Sequence, residues 1–221
     1  HTAYRRQRQM CIRDREEILD AETAAVTPAS EENSQNYHIS KEELGTGTIR
    51  EKCWKNILAI ETVKQLEKEQ RQATKEEQNI LADYVGWGGI ADVFDEKKPQ
   101  WQEARERIQT ALTLEEYRSA VGSVLNAHYT QPVLIKAMYQ VLAGLGFTKG
   151  RILEPSCGTG NFFGLLPESM NKSTLYGVEL DQMSAKIAGY LYPEVNIENT
   201  GFERTDYPDG YFDIAVGNVP G

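Results

Sequence analysis

The first half of the chain carries apolar residues at the spacing of an α-helix. Between residues 49 and 70 an apolar side chain recurs every three or four positions, with charged residues between them. Thr74 and Glu77 match the capping box, in which the Thr hydroxyl accepts the third amide of the helix and the Glu reaches back. Thr113 and Glu116 form a second such pair. The pattern predicts an all-helical region with helices over about 49–70, 74–85, 100–111 and 114–124.

From residue 126 the pattern changes to short apolar runs separated by helical segments. Helices are predicted near 133–145 and 182–192, where apolar residues again recur at helical spacing. The predicted strands lie at about 151–154, 174–179, 195–199 and 211–217. Because strands alternate with helices, we predict an α/β fold with a parallel sheet, preceded by the helical extension.

The chain divides into three predicted regions. Residues 1–36 form a basic head and a polar linker, residues 37–125 the helical extension, and residues 126–221 the α/β domain. Five arginines fall within residues 1–15, and the string RRQRQMCIRDR at 5–15 resembles the conceptual translation of a sequencing adapter. We therefore expect the head to carry no function and the chain to begin where a sequencing read began.

Composition and charge exclude several classes of protein. Apolar residues make up 40% and charged residues 26% of the 221 residues, as in soluble globular proteins. No apolar run reaches the roughly 18 residues that span a bilayer, so no membrane partner is expected. The three cysteines are widely spaced, which argues against a disulfide scaffold or a four-ligand zinc site and favours a reducing cytoplasm. A net charge of −9 disfavours non-specific binding of nucleic acid.

A glycine-rich loop follows the first predicted strand. Gly158, Gly160 and Gly164 have one residue too many for the dinucleotide fingerprint, and no Lys-Ser/Thr pair follows them as in a phosphate loop. Glu154 at the strand end would repel a pyrophosphate and suits a ligand with a positive end, such as S-adenosylmethionine. Glu179 ends the next strand, where an acid can accept two ribose hydroxyls. Taken singly, the glycines also fit a simple tight turn and each acid a solvated strand end.

The order of four sequence blocks resembles a known family. The blocks are HYTQP at 128–132, LEPSCGTGNF at 153–162, YGVELD at 176–181 and NVP at 218–220. Together they resemble gamma-type amino-methylating DNA methyltransferases. The helical region, with YVGWGG at 84–89, is similar to the N-terminal part of the large methyltransferase–helicase proteins of bacterial plasmids, phages and conjugative elements. The resemblance covers residues 37–221 and implies an incomplete Rossmann-like, S-adenosylmethionine-dependent methyltransferase sheet.

The resemblance implies a set of residues that bind S-adenosylmethionine. Thr130 would contact the methionine carboxylate, Glu154 would lie near the methionine end, and Glu179 would take the ribose. Phe202 would stack on the adenine, although the acid of this block, Glu203, follows the aromatic residue instead of preceding it. The full cofactor set is Tyr129, Thr130, Glu154, Pro155, Cys157, Gly158, Gly160, Asn161, Glu179, Leu180 and Phe202. No metal site is expected.

The last block would carry the chemistry of methyl transfer to the N6 amino group of adenine in DNA. The Asn218 side-chain oxygen and the Val219 carbonyl would accept the two amino hydrogens, and Pro220 would stiffen the loop. This favours a pyramidal nitrogen whose lone pair points at the methyl group. In the family an aromatic residue follows and stacks on the flipped base. Here the residue is Gly221.

Two alternatives stay open. The Asn-x-Pro block also serves methylases of RNA bases and of a protein glutamine. The missing aromatic residue favours a non-catalytic module of a helicase that binds the cofactor or DNA. On either methyltransferase interpretation, we expect helicase and target-recognition regions downstream in a longer bacterial or phage-encoded chain. With four strands and no neighbour beyond the fourth, we also expect a bare sheet edge, and hence poor solubility of this fragment.

Overall fold

Four α-helices follow one another in residues 45–124. The computed structural model describes residues 35–40, 45–124 and 130–218. The helices are α1 (Ile49–Glu69), α2 (Lys75–Ala82), α3 (Gln102–Ala111) and α4 (Leu114–Ser123), with 3₁₀ turns at Ala91–Phe94 and Pro99–Trp101. The predicted all-helical extension is therefore present. The adapter-like head and most of the predicted linker lie outside the described residues.

Capping boxes start three of these helices. In the two that the sequence predicts, Thr74 Oγ1 accepts from the Glu77 amide and Thr113 Oγ1 from the Glu116 amide, each at 3.2 Å. A third box at the start of α1, Thr48 with Glu51, was not predicted. These contacts satisfy amides that the first helical turn leaves without a partner.

The end of α2 differs from the prediction. The periodicity extends the helix to Val85, whereas the helix ends at Ala82. The reason is a long-range contact, since the Val85 amide donates to Asn56 Oδ1 at 2.9 Å instead of to a helical carbonyl. Gly86 follows in the left-handed conformation, with φ of 67°, which turns the chain away from the helix axis.

The second half is a parallel sheet with helices. Three helices, α5 (Pro132–Gly144), α6 (Asn161–Gly164) and α7 (Gln182–Leu191), accompany four strands. The strands are β1 (Arg151–Glu154), β2 (Thr174–Val178), β3 (Asn196–Glu198) and β4 (Ile214–Ala215). They lie in the order β3-β2-β1-β4, and every pairing is parallel. The predicted fold class, a Rossmann-like α/β sheet preceded by a helical extension, is confirmed.

The fourth strand is much shorter than the predicted 211–217. The Arg151 amide donates to the Asp213 carboxylate at 2.7 Å and the Asp213 amide donates to the Arg151 carbonyl at 3.0 Å, so Asp213 bonds the first residue of β1 partly through its side chain. Pairing with β1 then begins only at Ile152 with Ile214. The preceding aromatic residues, Tyr211 and Phe212, pack against Tyr176 on the sheet instead of extending the strand.

The helical and α/β halves pack against each other through buried residues. Helix α7 packs against α1, α2 and α4, and its inward residues Ile187 and Leu191 are buried. Residues 37–39 run in extended form beside the α/β half, where the Tyr37 amide donates to the Leu191 carbonyl at 2.7 Å and the Ile39 amide to the Gly164 carbonyl at 2.9 Å. The division of the chain at residues 36 and 125 stays a prediction.

Helix α5 leaves an apolar face exposed. It buries Ile135 and Tyr139 towards the core, while five large apolar side chains near or on the helix are exposed: Val133, Leu134, Met138, Val141 and Leu145. In the sheet, β4 has β1 as its one neighbour among the strands of residues 130–218. Among the described residues, no helix is both long and apolar enough to cross a membrane.

Candidate functional site

The loop after β1 is shaped by glycines in the left-handed conformation. Gly158 has φ of 55° and Gly160 φ of 85°, values that other residues rarely adopt. A Cβ atom at Gly160 would also lie 2.6 Å from Cε2 of the buried Tyr192. Glycine is therefore required at 160 by both conformation and space. Helix α6 begins at the next residue, Asn161.

Hydrogen bonds hold this loop across the carboxyl ends of β1 and β2. The Cys157 amide donates to the Val178 carbonyl at 2.9 Å. The Gly158 amide donates to Glu179 Oε2 at 2.7 Å, and the Asp181 amide donates to Glu179 Oε1 at 2.7 Å. A carboxylate has about four acceptor positions, so Glu179 keeps lone pairs for two ligand hydroxyls. Ligands of parallel α/β sheets bind at this end of the strands.

Two acids lie at this edge, Glu154, which is buried, and Glu179, which is half-buried. Glu154 is 3% exposed, and among the described residues its Oε2 atom has no hydrogen-bond partner. Burial, and then the charge of Glu179, raise the pKa of Glu154 well above its usual value. Burial also raises the pKa of Glu179, although the amides of Asp181 and Gly158 oppose the shift. A positively charged ligand would relieve both acids, since an adjacent cation favours the ionised carboxylate.

Cys157 lies inside the loop as a packed thiol. Its side chain is buried, and a Cβ atom on Gly177 would come within 2.9 Å of its sulfur. Burial, and then the charge of Glu154, raise the pKa of the Cys157 thiol well above its usual value. The thiol therefore stays protonated at neutral pH, which fits a small residue in a tight turn and disfavours a nucleophile.

A pocket lies where α5 and α6 begin. From the α/β half it is lined by the predicted cofactor residues Thr130 and Asn161, together with Gln131 and Pro132. The helical half supplies the opposite lining, which consists of Gly45, Ala82, Tyr84 and Val85. Sequence reasoning did not assign these four residues to the site. The available signal was the YVGWGG block, to which the resemblance gives no role.

Phe202, predicted to stack on the adenine, and Leu180, a further predicted cofactor residue, are both exposed. Leu180 is 69% exposed directly after Glu179, and Phe202 is 47% exposed in the 3₁₀ turn Phe202–Arg204. The Asn199 side chain donates to the Glu179 carbonyl at 2.8 Å and the Leu180 carbonyl at 3.1 Å, which ties the segment after β3 to the end of β2. No direct contact joins Leu180 and Phe202 among the described interactions.

The predicted catalytic block begins at the same edge. The Val216 amide donates to the Leu153 carbonyl at 2.8 Å, which keeps the chain beside β1 beyond β4. Gly217 then passes close to Pro155 and Glu154, since a Cβ atom at 217 would lie 3.5 Å from Pro155 Cδ. Asn218 follows as an exposed residue. The other predicted site residues, Tyr129, Val219 and Pro220, lie outside the described residues. Within residues 35–40, 45–124 and 130–218, no cluster of three metal-ligating side chains occurs.

Comparisons with known proteins show two relatives and one similar structure. No protein-family model matches the chain. The chain is 27% identical over 149 residues to defense against restriction protein B of Escherichia phage P1, a match that covers 66% of this chain and 5% of the phage protein. It is 38% identical over 69 residues to modification methylase CviBIII of Paramecium bursaria Chlorella virus NC1A, covering 31% of this chain and 18% of that methylase.

The similar structure comes from Listeria monocytogenes. It is provisionally assigned as a class I S-adenosylmethionine-dependent methyltransferase and superposes with a TM-score of 0.33 at 12% identity, over 77% of this chain and 59% of that chain. The chain spans a small share of both curated relatives, 5% and 18% of their lengths.

Proposed function

We propose that this chain carries the cofactor-binding part of an S-adenosylmethionine-dependent methyltransferase. The observation that carries the proposal is the pair of acids at the carboxyl ends of β1 and β2, the buried Glu154 with its unpartnered oxygen and the half-buried Glu179. S-adenosylmethionine has an ammonium and a sulfonium, so it brings positive charge to two acids whose pKa values are raised. The similarity to a modification methylase supports methyl transfer in general.

The proposed cofactor orientation follows from the order of groups along the glycine loop. Glu179 would accept hydrogen bonds from the two ribose hydroxyls, through the lone pairs that the Gly158 and Asp181 amides leave free. The exposed Leu180 and Phe202 would then hold the adenine, and Asn161 and Thr130 would hold the methionine end. Glu154 would lie near the methionine end, which carries the sulfonium and the ammonium. When bound, the cofactor supplies an electrophilic methyl group.

We further propose that the acceptor is the N6 amino group of adenine in DNA. The adenine amino group is a weak nucleophile because its lone pair is delocalised into the ring. Acceptance of its two hydrogens by Asn218 and the Val219 carbonyl favours the pyramidal form, which is positioning without a covalent intermediate. Transfer breaks the sulfur–methyl bond and forms the nitrogen–methyl bond, and the nitrogen then loses a proton. Reaching the amino group requires that the base be flipped from the duplex.

Binding of the cofactor is the first test and uses the 221-residue chain. Titration calorimetry with S-adenosylmethionine should give saturable binding that Glu179→Ala weakens by roughly tenfold or more, since the variant loses hydrogen bonds to a charged group. The matched control is Glu103→Ala, an exposed acid on α3. Absence of binding by the unaltered chain would overturn the proposal in all its forms.

Identity of the acceptor is the second test. The protein is incubated with labelled methyl donor and with DNA, RNA or protein. Label in adenine of DNA that disappears in Asn218→Ala supports the proposal. Label in RNA or in protein glutamine would replace the acceptor, and cofactor binding without transfer to any acceptor would assign a non-catalytic module, which the glycine at 221 favours.

A further inference from the structure

The turn that follows α2 is held in place by a buried side chain of α1. Asn56 is 0% exposed, and its amide bonds two successive backbone groups of the turn. Its Oδ1 atom accepts from the Val85 amide at 2.9 Å, and its Nδ2 donates to the Gly86 carbonyl at 2.5 Å. A buried amide with both ends satisfied fixes its partners firmly, because breaking either bond leaves a buried polar group unpaired.

The side of this turn that carries Tyr84 and Val85 faces the pocket. Tyr84 is buried, Val85 is half-buried, and both line the pocket opposite Thr130 and Asn161. Gly45 packs beside Val85, since a Cβ atom there would lie 3.3 Å from Val85 Cγ1. The helical half therefore closes a pocket whose other wall is formed by the starts of α5 and α6.

The pocket lies at one end of the proposed cofactor site. The Gly158 amide bonds Glu179, and three residues further along the same loop Asn161 lines the pocket. A ligand whose ribose is bound by Glu179 and which lies along the loop thus places its non-nucleoside end against Tyr84 and Val85. Chemically this is an amino-acid chain with methylene groups, which an apolar wall accommodates.

We infer that Tyr84 and Val85 of the helical half form a wall of the cofactor site at the amino-acid end, and that Asn56 is the positioning residue for this wall. The inference rests on the proposed function. It assigns a role to the first part of the YVGWGG block. It also makes the helical half part of the site, because the α/β half alone leaves this side of the pocket open.

The test compares two ligands that differ at this end. S-adenosylmethionine carries the amino-acid chain, whereas 5′-methylthioadenosine keeps the nucleoside and sulfur and lacks it. Calorimetry on Val85→Trp should show roughly tenfold or weaker binding of S-adenosylmethionine and unchanged binding of 5′-methylthioadenosine, because the added bulk occupies only the amino-acid end. The matched control is Val121→Trp on α4, where the valine is 43% exposed and lies outside the pocket.

Two further variants separate a wall from a structural role. Val85→Ala keeps the turn and should weaken the binding of S-adenosylmethionine about fourfold, because about one methylene contact is lost. Asn56→Leu should lower affinity for S-adenosylmethionine more than for 5′-methylthioadenosine, because the wall moves while Glu179 stays in place. Thermal unfolding of each variant, followed by circular dichroism, reports whether it is folded.

The outcomes distinguish this inference from the proposed function. If the unaltered chain binds no S-adenosylmethionine, the proposed function itself fails. If Glu179→Ala loses binding while Val85→Trp binds both ligands like the unaltered chain, the inference alone is overturned. Equal weakening of both ligands by Val85→Trp also overturns it, since that result indicates a general disturbance of the fold.

Discussion

The Ser119 hydroxyl on α4 donates a 2.8 Å hydrogen bond to Asp181 Oδ1. Asp181 is the N-cap of α7, where its Oδ2 accepts from the Ser184 amide at 2.8 Å, and its own amide donates to Glu179. A residue of the helical half is thus two hydrogen bonds away from the proposed ribose-binding acid. Asp181 connects the two because its side chain and its backbone bond in different directions.

We expect Ser119→Ala to lower stability by about 1 kcal/mol and to weaken cofactor binding several-fold, because a net hydrogen bond that orients Asp181 is lost. Urea unfolding and calorimetry measure the two effects. The control is Ser123→Ala on the same helix, whose hydroxyl bonds only the local Ala120 carbonyl. Equal effects of the two substitutions on cofactor binding would contradict the prediction.

Glu116 is buried between two lysines and should make stability depend on acid pH. Lys64 Nζ lies 2.6 Å and Lys186 Nζ 2.9 Å from its carboxylate. Burial alone would raise the pKa of Glu116, but Lys64, the Thr113 amide and Lys186 outweigh it and lower the pKa to about 2. A depressed folded-state pKa gives stability that is present above the ordinary value of 4.5 and is lost as the pH falls towards 2.

Glu116→Gln should therefore cost about 2 kcal/mol at pH 7, and the difference from the unaltered chain should shrink as the pH falls below 4.5. Urea unfolding at a series of pH values measures this. The control is Glu115→Gln, an exposed neighbour on the same helix. A difference that stays constant down to pH 2.5 would be inconsistent with the pairing.

The effect of Glu154 on stability should change with pH in the opposite direction to that of Glu116. Because the pKa of Glu154 is raised, the folded chain keeps a proton that the unfolded chain releases. Glu154 therefore lowers the free energy of unfolding once the pH rises above the usual pKa of a glutamate. We expect Glu154→Gln to raise the midpoint of thermal unfolding at pH 7 by about 2–4 °C, equivalent to about 1 kcal/mol. The same substitution should weaken S-adenosylmethionine binding, because the ligand loses a carboxylate near its positive charges.

Binding of the cofactor should release protons at the same acid. A bound cation lowers the pKa of Glu154, so the binding enthalpy should differ between buffers of different ionisation enthalpy, and affinity should fall as the pH is lowered. Glu154→Gln should reduce both dependences. Buffer-independent enthalpies in the unaltered chain would exclude Glu154 as the partner of the positive charge.

Gly160 offers a test of the loop with a closely matched control. Gly160→Ala combines strain at φ of 85° with a clash against Tyr192, whereas Gly146→Ala has φ of 86° and no atom within 4 Å of its added Cβ. Both variants should lose about 1 kcal/mol of the free energy of unfolding because of backbone strain. Only Gly160→Ala should lose further stability and roughly tenfold in cofactor affinity, since the loop must move. Similar losses in the two variants would argue against a tightly packed loop.

The exposed face of α5 should govern solubility. Val133 is 70% and Val141 62% exposed on this face, and among the strands of residues 130–218 the outer edge of β4 has no neighbour. Large exposed apolar patches and bare edges promote association. We expect the double substitution Val133→Lys with Val141→Lys to lower light scattering and dye binding, and Val121→Lys on α4 to change neither. A monodisperse monomer with a sharp melt would contradict the predicted poor solubility of the unaltered chain.

Much of the fold follows from local sequence signals. The capping boxes at Thr74 and Thr113 place two helix starts correctly, because a cap forms between residues three positions apart. The first strand is predicted at its observed bounds, since a buried strand is a short apolar run before a glycine turn. The fourth strand is predicted too long because its first residues are apolar but pack on Tyr176 from outside the strand.

For the candidate site, too, some features could be predicted from sequence and others could not. Glu154, Gly158, Gly160 and Glu179 could be selected from sequence because each follows or ends a strand, and parallel strands bring their carboxyl ends to one edge. The unpartnered oxygen of Glu154 and the raised pKa of both acids could not be predicted, because they depend on what surrounds each carboxylate.

The sequence by itself determined where most helices and strands lie and which acids and glycines stand at the strand ends, because these properties depend on neighbouring residues. Only the tertiary structure decided the sheet order, the early end of α2 and the part that the helical half takes in the pocket. Asn56 bonds Val85 across 29 positions, and Ser119 bonds Asp181 across 62. Such contacts form when packed helices bring distant residues together, and no local pattern records them.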